Sequence, residues 1–291
     1  MKHKSKVHLQ SLFYLKNAIV AFFALSTLFL FHGIAEEKQP LALYYWQAKK
    51  FENFGDYLSV KIVERMIQSP VEIYKKNPKN PRKKLLALGS ILYFAEEGDV
   101  LWGTGMNAKF YDKKDFCFKN LDVRAVRGPL TRQFLIDNFH IEVPEIYGDP
   151  ALLLPHLFPE FKRQEQPQFS YVILPHYSDM HLFPKEDYPN VIYPTEPWNV
   201  VIEKILDSHF VISSSLHGII VAEAFDIPAK YVRLSQSEPE FKYKDYYLGT
   251  GRSSFTFATS IDEALEQGGE PPFTCDLQKL YDAFPFDYYH P

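Results

Sequence analysis

Val211-Ile-Ser-Ser-Ser-Leu-His-Gly218, followed directly by Ile-Ile-Val-Ala-Glu-Ala-Phe225, is the stretch on which the fold turns. Residues 209 to 213 read as a buried strand that stops in three serines. The apolar run behind them reads as a helix with His217 in its first turn. Serines cap helix N-termini, and the free amides and dipole at such an end attract anions. An imidazole held there lies beside any bound phosphate or carboxylate and is suited to proton transfer near neutral pH. Taken alone, Leu-His-Gly would describe a capped core helix with a solvated histidine. Its place after a buried strand in an alternating α/β pattern favours a ligand site at the carboxyl end of a parallel sheet.

The same alternation extends in both directions. Upstream, strands are expected at 41–46, 84–89, 99–105 and 121–127. Helices are expected over 57–67 and 130–139, the latter with Pro129 in the favoured first turn. The polar, proline-flanked stretch 158–169 reads as a linker. Beyond it come strands at 171–176, 190–195, 209–213 and 229–234, and helices over 198–207, from 217, over 261–267 and over 277–284. The fold class is therefore α/β, with two doubly wound Rossmann-like domains facing a cleft. The first is expected over 36–165 and the second over 166–291.

The amino terminus is different in kind. Lys2, Lys4, Lys6 and Lys16 precede or interrupt an apolar run ending in Gly33-Ile34-Ala35, the pattern of a signal peptide or membrane anchor over residues 1–35. An exported, secretory-pathway or membrane-associated protein is the expectation, with the cytoplasmic face of a membrane as the alternative. Those four lysines leave the remainder of the chain at −8, against −4 for the whole. So acidic a body argues against a nucleic-acid partner, and any anionic substrate has to be held by a few local cations. The two cysteines, Cys117 and Cys275, have no metal-ligand spacing, and free thiols are expected.

Several segments, in order, resemble the polysaccharide pyruvyltransferase family: Asn53-Phe-Gly-Asp56, Trp102-Gly-Thr-Gly105, Val126-Arg-Gly-Pro-Leu-Thr-Arg132, Tyr147-Gly-Asp-Pro150, Ser214-Ser-Leu-His-Gly218 and Ala224-Phe-Asp-Ile-Pro228. Phe241-Lys-Tyr-Lys-Asp-Tyr-Tyr247 with Thr250-Gly-Arg252 is similar to the branch that decorates bacterial exopolysaccharides. The resemblance implies a fold like that of two-domain GT-B glycosyltransferases. It also implies transfer of a pyruvyl group from phosphoenolpyruvate to a glycan sugar as a cyclic ketal, with no further cofactor and no metal required. His217 matches the family's histidine, the candidate acid/base. Arg127 matches its arginine and Lys242 its downstream lysine, both expected at the donor, with Lys244 or Arg252 as alternatives to Lys242. Ser214 and Ser215 join the donor group.

Each of these residues also has a plainer reading. Arg127 would be a helix-start arginine paired with Asp149, and Lys242 and Lys244 solvated loop charges. Asp56 would be a helix cap rather than a base for the acceptor hydroxyl. Asn53, Gly55, Gly103, Gly105 and His176 are candidate acceptor or loop contacts, although a tight turn explains the glycines as well. A nucleotide-sugar glycosyltransferase on the same architecture and an inactive membrane-anchored carbohydrate-binding protein are the competing functions. A serine hydrolase is disfavoured because no Gly-x-Ser-x-Gly elbow surrounds Ser214.

Overall fold

Among the described residues seven short segments form the strands, and every pairing among them is parallel. In the computed structural model, which describes residues 40–79 and 81–289, β1 (Ala42–Tyr44), β2 (Lys84–Leu86), β3 (Val100–Trp102) and β4 (Asp122–Ala125) make one sheet in that order. β5 (Val172–Leu174), β6 (Val211–Ser213) and β7 (Ala229–Tyr231) make the other. Single bridges extend both sheets. Ile73 lies on the free side of β1 and Tyr147 continues beyond β4, while Val191 flanks β5 and Ala258 flanks β7. With these included, each sheet starts in its interior, adds its next segment on one side and the rest on the other. That reversal is the mark of a doubly wound sheet. The strand expected over 190–195 shrinks to the Val191 bridge, because Pro189 and Pro194 bracket it and supply no ladder donors. The leader expected over residues 1–35 lies outside the described residues.

The described residues form eight α-helices: α1 (Phe54–Ile67), α2 (Pro129–Phe139), α3 (Leu154–Leu157), α4 (Trp198–Leu206), α5 (Leu216–Ala224), α6 (Phe241–Gly249), α7 (Ile261–Gln267) and α8 (Leu277–Asp282). Helix α1 starts three residues before its expected position. Asn53, not Asp56, is its cap, with Oδ1 accepting from the Gly55 and Asp56 amides at 3.0 and 3.3 Å. The capping reading of Asp56 is thereby corrected, and its carboxylate is left for other work. Lys242 and Lys244 lie on α6 rather than in a loop.

α5 is apolar on every face, and Leu216 to Glu223 are all buried, as expected of a helix enclosed by core. Its side chains share a single hydrophobic cluster with α1 and α4 and with Leu43 and Trp102 of the first sheet and Val172 and Leu174 of the second. One core therefore serves both sheets. The outer face of the first sheet carries a second cluster around Leu101, Val123 and Phe134. α8 returns to the first sheet, where the Trp102 indole donates to the Leu280 carbonyl at 2.8 Å. Among the described residues no helix is long and apolar enough to cross a membrane, and Cys117 and Cys275 are both free thiols.

The start of α2 is tied to α6 by one carboxylate. Asp245, fully buried, accepts from the Leu130 and Thr131 amides at 2.9 and 3.0 Å and from the Thr131 hydroxyl at 2.7 Å. It also pairs with Arg127 at 3.1 Å. Gly128 permits this approach: a Cβ there would stand 1.8 Å from the Asp245 carbonyl oxygen. The plainer reading that paired Arg127 with Asp149 is corrected, since its partner is Asp245. We predict that Asp245→Ala destabilises the fold by about 3–5 kcal/mol, because it strands a buried guanidinium and uncaps α2. Urea denaturation checks this; a loss below about 1 kcal/mol would contradict the arrangement.

Candidate active site

The loops that follow β1, β2, β3, β5, β6 and β7 converge on one cavity of about 230 Å³. It lies below the ~300–1,000 Å³ range of clefts for drug-sized ligands, a size suited to a small metabolite. Asn53 and Asp56 enter from the β1 loop and the first turn of α1, and Ser90 from the β2 loop. Asn107 and Lys109 enter from the β3 loop, His176 from the β5 loop, and Ser215 and His217 from the β6–α5 junction. Glu238 and Lys242 close the ring from α6 and the loop before it.

His217 lies between the Gly55 backbone and the Asp149 carboxylate. On one side lies Gly55, where an added Cβ would stand 2.3 Å from the imidazole Nδ1. On the other, Nε2 lies 3.7 Å from Oδ2 of the fully buried Asp149. Among the described residues neither of those two atoms has a hydrogen-bond partner. Asp149 Oδ1 accepts from the Ala151 amide at 3.0 Å, which fixes the carboxylate. Asp149 therefore faces the histidine, as a carboxylate that orients an imidazole does. Ser215 begins α5 without a side-chain cap hydrogen bond, and the first turn of that helix borders the cavity. Positive dipole charge is thus directed at the same space.

The same cavity gathers a cluster of charge. Lys242 pairs with Glu238 at 2.6 Å, and Lys109 binds the other oxygen of the same carboxylate. Asn107 donates to it at 3.3 Å. Burial alone would raise the Glu238 pKa, but Lys242, Lys109 and His176 outweigh it and hold the group at about 2. Burial lowers the Lys242 ammonium from its ordinary value despite Glu238. His176 is depressed to about 4, first by burial and then by Lys242, so its ring is neutral at physiological pH. Burial lifts Asp56 to about 6 against the opposing pull of His217 and Lys242. Asp56 and His217 both border Gly89: a Cβ there would stand 3.5 Å from Asp56 Oδ1 and 3.9 Å from His217 Cε1. Among the described residues no group of three or more His, Cys, Asp or Glu side chains is placed to hold a metal ion.

Other expected contacts fall elsewhere. Arg127 is fully buried behind the wall, where Nη1 donates to the Ser90 hydroxyl at 2.6 Å and Nη2 to the Met106 carbonyl at 2.7 Å. Its guanidinium reaches the cavity through Ser90 rather than by a direct two-pronged grip. Arg252 does not border the cavity. It pairs with Glu223 at 3.0 Å and donates to Pro271 and Thr250, so it is committed to the core beneath α5. Ser214 is one layer back, donating to Asp179 at 2.8 Å and accepting from the His176 amide at 2.8 Å. Gly103 abuts Pro150 and Gly105 abuts the Arg127 guanidinium. Both glycines serve packing behind the site.

Residues 53–232 match the model of the polysaccharide pyruvyl transferase family, a span of well over half the chain that contains Asn53, Asp56, Arg127, Asp149 and His217. The chain belongs to that family. It is similar to the uncharacterized protein L143 of Acanthamoeba polyphaga mimivirus, 28% identical over 67% of this chain and 69% of that protein. It is also similar to the succinoglycan biosynthesis protein ExoV of Rhizobium meliloti (strain 1021), 29% identical over 70% of this chain and 63% of that protein. Among the residues at or beside the cavity that the sequence reading gave no role there are Lys109, Glu238 and Asp149. Lys109 and Glu238 had no motif around them. Asp149 lay within Tyr147-Gly-Asp-Pro150 but was assigned to the wrong partner.

The raised Asp56 carboxyl makes a prediction about stability. Because its pKa is higher in the folded state, wild-type protein loses stability as pH rises from about 4 through 6. Asp56→Asn should therefore raise the unfolding temperature by a few degrees at pH 8, on the order of 1–2 kcal/mol. The gain should fade as pH falls toward 4. Thermal melts at the two pH values check this, and an equal shift at both would contradict it.

Proposed function

We propose that this chain moves the pyruvyl group of phosphoenolpyruvate onto a sugar of a glycan or lipid-linked oligosaccharide, closing a cyclic ketal and releasing phosphate. The observation that carries this reading is the juxtaposition of His217, held between Gly55 and Asp149, with the Lys109–Lys242 pair across one small cavity. The donor carries a phosphate and a carboxylate, and such an anion calls for two or more cations or helix N-termini. Lys242, Lys109 and the uncapped start of α5 meet that demand, and Arg127 adds fixed positive charge behind Ser90. Glu238 offsets one of the two lysine charges, and a donor of higher charge competes with it for both.

The chemistry then needs two proton-handling groups. A sugar hydroxyl attacks the carbon bearing the phosphate ester, and the neighbouring methylene takes a proton to become a methyl group. A second hydroxyl of the same sugar displaces phosphate, with loss of its own proton, to close the ring. In this reading protonated His217, faced by Asp149, gives its proton to the methylene, and Asp56, poised near pH 6, accepts the proton of the attacking hydroxyl. The proton of the second hydroxyl leaves with the phosphate, and proton return from Asp56 to His217 resets the pair. The sheets β1–β4 and β5–β7 are then the Rossmann-like lobes of a GT-B-like arrangement, divided near residue 165, with α8 crossing back to the first. The acid/base pair and the substrates sit between their strand ends.

Incubation with phosphoenolpyruvate and β-galactoside, glucoside or mannoside acceptors tests the reading by phosphate release and the mass gain of a ketal; no transfer to any of them counts against it. We predict that His217→Ala lowers kcat by about 10²–10⁴-fold with the fold intact by circular dichroism. Lys242→Met should weaken donor binding in calorimetry at least tenfold, roughly the loss of one charge-assisted contact. Gly55→Ala should lower kcat while leaving donor affinity in place, because the new methyl displaces the imidazole. Wild-type turnover in His217→Ala or Gly55→Ala would remove the histidine from the mechanism.

A further inference from the structure

The cavity has a second wall of quite different character. Among the described residues the exposed large hydrophobic side chains are Phe94, Phe110, Tyr111, Tyr177, Leu182 and Leu265, and three of these six, Phe94, Phe110 and Tyr177, line this one cavity. Rings left in water beside a polar site mark a surface that meets a partner. They are not loose. Tyr93 and Phe110 stack with centroids 3.9 Å apart and planes 15° from parallel, and Trp46 stacks on Tyr177 at 5.6 Å and 26°. Each stacked pair is rigid and offers an outer face.

The aromatic surface does not end at the cavity. A second hollow of about 280 Å³, lined by Tyr44, Tyr45, Gln47, Ile73 and Tyr74, shares Trp46 and Phe94 with the first. The two spaces therefore adjoin across shared side chains and present one aromatic track beside the carboxyl end of β1, where the first sheet reverses its strand order and where ligands gather in such sheets. The second hollow is aromatic but keeps polar edges: the Gln47 amide, and the Tyr74 hydroxyl, which donates to Glu96 at 3.2 Å.

We infer that this track binds the acceptor as a chain of at least two linked sugars. The sugar to be modified lies against the Trp46–Tyr177 stack, and its neighbour lies in the Tyr44–Tyr74 hollow. A pyranose presents an apolar face of C–H groups, which packs on an aromatic ring, and an edge of hydroxyls, which needs polar partners. The two adjoining hollows, of about 230 and 280 Å³, offer both kinds of surface. The position of the first sugar rests on the transfer reading above, whereas binding of the glycan by the track does not.

The experiment is calorimetry and saturation-transfer NMR on the whole chain without phosphoenolpyruvate, using mono-, di- and tetrasaccharides of glucose and galactose. Within at least one sugar series the tetrasaccharide should bind about tenfold more tightly than the monosaccharide. Tyr74→Ala and, separately, Tyr45→Ala should cut that advantage to about threefold or less without changing monosaccharide affinity. Trp46→Ala should weaken every ligand of the series. Near-UV circular dichroism identifies a misfolded variant, and the remaining variant then decides. Equal affinity across lengths, a length advantage that survives both tyrosine variants, or no binding by any sugar overturns the inference. Length-dependent binding without ketal formation would remove the transfer reading and keep the track. Transfer to simple glycosides without a length preference would do the reverse.

Discussion

The contact between Gly55 and the His217 imidazole is the constraint from which the site follows. Gly55 belongs to the helix after β1, and His217 to the helix after β6. For the ring to lie against that backbone, the N-termini of two helices from different sheets must converge on one point. Any side chain at position 55 would meet the ring at 2.3 Å, so the absence of a Cβ sets where the sheets can meet. Asp149 Oδ2 then faces the far edge of the imidazole at 3.7 Å from a third element, at the cap of the short turn that starts at Pro150.

Behind this contact is a division of labour among the charged groups. Those the cavity exposes are balanced within it: Glu238 is shared by Lys109 and Lys242. Those behind it are spent on architecture. Arg127 joins Asp245 to hold α2 against α6, and Arg252 joins Glu223 beneath α5. A buried ion pair contributes little net stability while it is intact, yet losing one partner is expensive. These pairs therefore fix geometry more than they add stability, and the geometry they fix includes the seat of α6, which carries Lys242.

Much of this was legible in the chain. Strand positions followed from short apolar runs ending in glycine or serine, and the α2 start from Gly128-Pro129. The placement of His217 followed from its helix-start setting. What failed has physical causes. Asn53 and Asp56 are both good caps, and only backbone geometry decides that Asn53 makes the bonds. Arg127 could not be matched with Asp245 because 118 positions separate them and local spacing favoured Asp149. Lys109 and Glu238 stand in unremarked loops, and they meet only because two parallel sheets direct their loops to the same side. The aromatic track is assembled from Trp46, Phe94 and Tyr177, each unexceptional in a chain so rich in aromatic residues.

The single core under both sheets has a mechanical consequence. Enzymes that grip two substrates between lobes commonly swing open on a hinge, but here α1, α4 and α5 bury their side chains in the same apolar mass as strands from each sheet. Prising the halves apart would bring that mass into water, at roughly 25 cal/mol for each Å² exposed. Access to the cavity therefore falls to its rim loops rather than to the rocking of rigid bodies.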